Sequence, residues 1–266
     1  MQNILYSNNS SYYSMIARLV LAEKCVAYDL HNIDIHINME QFSPEYVKIQ
    51  PNMTVPVLAC DGENINDSHR ILLFVNQDFA GVDLCPAEDS AAILKSLDLH
   101  YTFSIEDLTM GNALRKSPIA RFALARGLQR ASRRCRELMR THPEFKVACE
   151  NKLQLEVQRE KLILSKENNY AQMLEQAVSL CDNLESELGQ HEFAASNRYS
   201  LADVVWTVFL ARLLMIKFDH LIMERKNLHA YWQRMTARDS YLKANLCTKM
   251  PLKFLIKVIL ALLFKK

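Results

Sequence analysis

The chain has 266 residues, half of them hydrophobic, with only five Gly and seven Pro, a composition that predicts long helices with sparse turns. A formal charge of +2 excludes a global electrostatic case for nucleic acid, and the lack of His/Cys clusters at ligand spacing predicts no metal. Seven Cys without a C-x-x-C pair, and a beginning (MQNILYSNNSS) with neither a basic segment nor a long apolar core, predict reduced thiols in a cytoplasmic, cytosol-facing compartment and no secretory signal.

Asn3 to Tyr6 reads as a short apolar strand and Ser7 to Ser11 as a polar loop. Met15, Ile16, Leu19, Val20 and Ala22 recur at helical spacing, which predicts a helix from about Tyr13 to Lys24. CVAYDLHNID alternates and reads as a second strand, QFSPEYVKIQP as a short helix ended by Pro51, and VPVLACDG with ENIND as a hairpin around Asp61-Gly62. Ser68 to Phe79 is a predicted helix with Ile71, Leu72 and Val75 on one face. The order β-α-β-α-β-β-α fills residues 1–80 as a small α/β unit, and 81–89, with Gly81 and Pro86, make a linker. From Ser90 onward strand signals vanish. Ala91 to Met110 is predicted as one long helix, followed by a basic block in which Asn112 to Arg140 holds nine Lys/Arg against Glu137 alone. Glu144 to Leu164, Tyr170 to Leu188, Ser200 to Phe218 and Asn227 to Met235 complete an all-helical region over 90–245.

Two features in TVPVLACDG-ENINDSHRILLFV carry chemistry. Pro56 sits where a strand should begin, although proline cannot donate to a sheet ladder. A cis peptide before it costs only about 0.5–1 kcal/mol relative to trans, and the kink predicts that the Val55 main chain is free to hold an extended peptide as an added strand. Asp67-Ser68, eleven positions later, opens a helix whose unsatisfied N–H groups favour a carboxylate, with the Ser68 hydroxyl as a further donor. Either feature alone is met by a turn proline and an ordinary cap; together they predict a site for a tripeptide such as glutathione.

At these residues the sequence resembles the cytosolic glutathione transferases. QFSPEYVKIQPNMTVPVL is similar to the family's helix–loop–cis-proline block, NDSHRILLFV to its acidic-Ser block, and YSLADVVWTVFLARL to its capping motif, in which Ser200 and Asp203 form a structural S-x-x-D box. The resemblance implies an α/β thioredoxin-like N-terminal domain followed by an all-α helical-bundle C-terminal domain. Within the latter, an extended insertion of about 112–165 separates the family's fourth and fifth helices. It implies glutathione as co-substrate, bound by Thr54, Val55, Pro56, Asp67 and Ser68, and a homodimer. The family's activating group lies seven residues before a semi-invariant Arg, matched by Arg18, which places it at Ser11; Ser10, Tyr12 and Ser14 remain alternatives. A serine hydroxyl there favours the thiolate of glutathione. No Cys lies in this loop, against the Cys-based thioltransferase and reductive-dehalogenase variants. Two departures stand out: Thr54 replaces a Lys or Arg, and Met53 replaces a turn Gly. A hydrophobic electrophile is expected between the domains, against the helix containing His100, Tyr101 and Ser104, with Tyr12.

The long insertion and DLTMGNAL are similar to the ganglioside-induced differentiation-associated protein group and to tetrachlorohydroquinone dehalogenase-like transferases. Members of the first group are membrane-anchored, and some have little activity, so a catalytically weak organising factor is the alternative function. The segment KMPLKFLIKVILALLFKK has an uninterrupted apolar run only from Val258 to Phe264, far short of the ~20 residues a span needs. Lys249, Lys253 and Lys257 share a helical face, and Phe254, Leu255, Ile259, Leu260, Leu262, Leu263 and Lys265-Lys266 complete a cationic amphipathic segment. This predicts that 250–266 lie on an anionic membrane surface, on the cytosolic face of an organelle or inner membrane.

Overall fold

A computed structural model describes residues 3–116, 118–164 and 169–264, without the side chains of 162–164 and 262–264. Lys265-Lys266 of the predicted amphipathic segment, and the side chains of Leu262 and Leu263, therefore lie outside what is described. The first part is β1 (Ile4–Ser7), α1 (Tyr12–Glu23), β2 (Asp29–Asn32), α2 (Pro44–Ile49), β3 (Val57–Cys60), β4 (Glu63–Asn66) and α3 (Ser68–Asp78). The sheet order is β2-β1-β3-β4, with β1 parallel to β2 and the other pairs antiparallel. This is the thioredoxin-like arrangement that the resemblance implies. The predicted second strand shrinks to four residues at the sheet edge, all exposed.

Helices α4 (Ser90–Thr102), α5 (Ile105–Lys116), α6 (Pro118–Thr141), α7 (Lys146–Leu164), α8 (Tyr170–Glu187), α9 (Leu201–Met215), α10 (His220–Met223), α11 (Lys226–Thr236), α12 (Asp239–Ala244) and α13 (Leu252–Phe264) follow. The predicted helix Ala91–Met110 is broken in two. Phe103 is extended and Ser104 Oγ accepts from Asp107 N, while Glu106 and Asp107 place acid in the new first turn, a combination that starts a helix afresh. Helix α9 is buried on every side from Leu201 to Leu213, as expected of a helix with no polar face. Its start is closed by the Ser200–Asp203 box, and the Asp203 carboxylate also accepts from Ala194 N and Tyr231 Oη at 2.9 Å each. Gly111 admits the close approach of α8: a Cβ there would stand 2.7 Å from the Tyr170 ring.

The basic block begins at the end of α5, with Arg115 and Lys116, and its other cations lie on α6, which folds back along α7 through a turn at Pro143–Phe145. Met39, Phe42, Val47 and Met53 from around α2 bury into this hairpin against Ala131, Cys135, Leu138 and Cys149. The insertion is thus clamped to the sheet domain through its own small core. Helix α13 packs on α6. Phe254 lies against His36, Ala261 is buried, and Val258 reaches the cavity described below, while Leu252, Leu255, Ile256 and Leu260 stay exposed. Lys249 precedes α13, so of the three lysines only Lys253 and Lys257 belong to the helix. Among the described residues no helix is long and apolar enough to cross a membrane.

Candidate functional site

The loop from Asn8 to Ser11 is fixed from behind by two arginines. All five N–H groups of Arg18, which is 4% exposed, are taken, by Ser7 Oγ and by the carbonyls of Asn8, Asn9, Ala244 and Asn245. Arg212, on α9, donates to the Ser10 carbonyl at 2.9 Å. Within that frame the four candidate activating residues part company. Ser14 is fully buried and accepts from Asn8 N. Ser10 Oγ is engaged by Asn8 Oδ1 at 2.8 Å and His36 Nε2 at 2.7 Å. Tyr12 is buried, its Oη 2.5 Å from His100 Nε2, and burial holds its phenol well above the ordinary value. Ser11 caps α1, with a long 3.4 Å contact from Ser14 N, and it alone of the four lines the cavity.

That cavity has a volume of about 620 Å³. One wall is Ser11, Thr54, Val55, Pro56, Asp67 and Ser68, so the residues expected to hold glutathione converge on a single space. The Val55–Pro56 bond is cis, and among the described residues no protein group pairs with the Val55 main chain. Asp67, exposed and with φ +79°, caps α3 by accepting from His69 N and Arg70 N. Ser68 is buried, and its Oγ shares a 3.2 Å hydrogen bond with Tyr101 Oη. The two departures acquire places: Thr54 lines the cavity, and its carbonyl accepts from Tyr46 Oη, while Met53, at φ +53°, is buried in the clamp core and also borders the cavity.

The opposite wall differs from the expected acceptor surface. Tyr12, His100, Tyr101 and Ser104 do not line the cavity. Tyr12 and His100 form an internal pair, burial pressing the His100 pKa down to about 3; Tyr101 backs Ser68; and Ser104 starts α5. The wall instead comes from Glu106 and Met110 of α5, a stripe of α6 (Ala123, Leu124, Gly127, Leu128, Ala131), Val258, and a charged cluster on α7. In that cluster Lys152 and Glu156 are nearly buried and 3.4 Å apart, and Arg159 bridges to Glu106 at 2.8 Å. Tyr13 also lines the cavity, its phenol pushed up to about 12 by burial and by Glu106. Sequence reasoning missed Tyr13, Glu106, the α7 cluster and Arg212. The signal available was the Lys152–Glu156–Arg159 spacing, which sets three charges on one helix face. Among the described residues no group of three His, Cys, Asp or Glu could hold a metal ion.

Comparison with known proteins matches residues 10–78 to a glutathione S-transferase N-terminal domain and residues 143–239 to a glutathione S-transferase C-terminal domain. A tetrachloro-p-hydroquinone reductive dehalogenase of Sphingobium chlorophenolicum is 29% identical over 244 residues, covering 89% of this chain and 93% of the relative. The glutathione S-transferase TCHQD of Arabidopsis thaliana is 25% identical over 248 residues, covering 90% and 88%. Among solved structures, glutathione transferase F2 of Populus trichocarpa superposes with a TM-score of 0.63 at 19% identity, covering 91% of this chain and 96% of that one.

Proposed function

Because the chain belongs to the glutathione transferase superfamily, whose co-substrate is glutathione, we propose that it docks glutathione along Val55 and passes the thiolate to a hydrophobic electrophile. The observation that carries this reading is the convergence of Ser11, the free Val55 main chain, Asp67 and Ser68 on one cavity. The cysteinyl unit pairs with the Val55 N–H and C=O as an added strand. The γ-glutamyl carboxylate meets the α3 N-terminus and Ser68, and its ammonium meets Asp67. Ser11 O–H donates to the sulfur once the thiol proton has left, which favours the thiolate. The new C–S bond forms as a leaving group departs or as a polarised double bond takes up the electron pair. The dehalogenase relative makes a halogenated aromatic a fitting probe for the apolar wall of α6. No Cys lines this cavity, so transfer is favoured over chemistry through a protein thiol.

The protein works as a homodimer in this reading, with exposed Val82, Leu94 and Leu99 near the pairing surface. It attaches from the cytosol to anionic membrane through α13, whose exposed Leu252, Leu255, Ile256 and Leu260 are interleaved with Lys253 and Lys257. Retention on immobilised glutathione, released by free glutathione, tests the binding. Asp67→Ala should abolish it, and Asp67→Asn, which keeps the α3 cap, separates loss of charge from loss of the cap. A wild-type protein that is not retained favours the organising role without catalysis.

A further inference from the structure

Arg212 is a buried cation without a carboxylate. It is 8% exposed, one Nη2 bond to the Ser10 carbonyl is its only hydrogen bond among the described residues, and its buried Nε has no partner. Its guanidinium also stands 5.4 Å from the Tyr12 ring centroid. Arg18, which braces the same loop, shows what a structural arginine looks like here: every N–H is spent on a carbonyl or hydroxyl oxygen. Unpaired buried donors and charges are costly; Arg130 of α6 also has an unpaired buried nitrogen and one carbonyl bond, to Ile37, so what sets Arg212 apart is its grip on the carbonyl next to Ser11.

The titratable groups around Arg212 leave its charge unmatched. Helix α1 presents Tyr12 and Tyr13, the loop before α2 presents His36, α5 presents Glu106, and Cys247 follows α12. Glu106 is the one carboxylate of this set near Arg212, and it is held by Arg159 at 2.8 Å. Three of these groups, Tyr13, His36 and Glu106, line the cavity. The carbonyl that Arg212 grips belongs to the peptide linking Ser10 to Ser11.

We infer that Arg212 is the fixed positive charge behind Ser11 whose counter-ion is the thiolate of bound glutathione. This rests on the glutathione reading above and adds to it the source of the thiol's acidity. The Ser11 hydroxyl contributes one hydrogen bond; Arg212 contributes a field in a poorly solvated setting, where a unit charge several ångströms away shifts an ionisation by on the order of one pH unit or more. Arg212 acts on the sulfur across the Ser10–Ser11 peptide without touching it.

The test is a pH titration of the ultraviolet thiolate absorbance of glutathione bound to the full-length wild type, Arg212→Gln and Arg212→Met. Gln keeps a donor for the Ser10 carbonyl without the charge. Met removes donor and charge, and relieves the burial of a cation, a change that folds tolerate. Both variants should ionise the bound thiol about one pH unit or more above wild type, with the glutathione KM of Arg212→Gln within about threefold of wild type. A bound thiol in Arg212→Gln that titrates as in wild type overturns the inference and leaves Arg212 as a tether. Wild-type protein that binds no glutathione overturns this inference and the parent reading together; should one variant not fold, the other decides.

Discussion

Single residues settle what the cis-proline edge is attached to. Met53 occupies a left-handed turn position where the resemblance leads one to expect Gly, and its φ of +53° costs a non-glycine residue about 1 kcal/mol. Its side chain is 2% exposed against Phe42, Cys135 and Leu138, and removing a buried Met side chain costs about 2–5 kcal/mol. Burial wins. Met53→Gly should therefore lower stability by about 2 kcal/mol in chemical denaturation even though it relaxes the backbone. An unchanged or raised midpoint would show that the insertion is not clamped there. The proposed role of Ser11 rests on the same kind of comparison: Ser10, Tyr12 and Ser14 are committed to His36, His100 and the Asn8 N–H, and of the four only Ser11 lines the cavity.

Helices and strands show which parts of the sequence were self-explanatory. Pro56, Asp67-Ser68 and the Ser200–Asp203 box were legible because each is a local rule about a backbone donor or a helix end. The break at Phe103 was hidden because Ala91 to Met110 keeps an apolar period through it; the signal was Ser104 followed by two acids. The cavity's far wall was illegible for a different reason. Tyr12, His100 and Tyr101 carry chemistry-bearing groups at helical spacing, but tertiary packing turns them inward or behind Ser68, and the cavity is lined by small and apolar residues of α6 that look ordinary in sequence. Within the basic block three cations have intramolecular partners that the charge count does not reveal: Lys116 donates to the Ile216 carbonyl, Arg115 lies over Tyr170, and Arg130 is buried against the Ile37 carbonyl. Helix α13 combines two readings, packing Phe254 and Val258 inward and leaving four apolar residues outside. Removing residues 250–266 should release the protein from anionic liposomes in a sedimentation assay; a truncated form that still cosediments would contradict membrane attachment through α13.

For the molecule as a whole, the sheet domain offers an unpaired stretch of main chain, and the long insertion folds over it. Helices α6 and α7 are held by a core that reaches from Met39 to Cys149, so the cavity is bounded by elements that an ordinary loop in the family would not provide. Positive charge converges behind Ser11, apolar surface lies across from it, and α13 closes part of the rim. Crystals of the full chain soaked with glutathione test this arrangement most directly. The account predicts the tripeptide paired to the Val55 N–H and C=O, its γ-glutamyl end at Asp67 and Ser68, and its sulfur within hydrogen-bonding distance of Ser11 Oγ. Glutathione seated elsewhere, or sulfur turned toward Tyr13 with Ser11 unengaged, would contradict it.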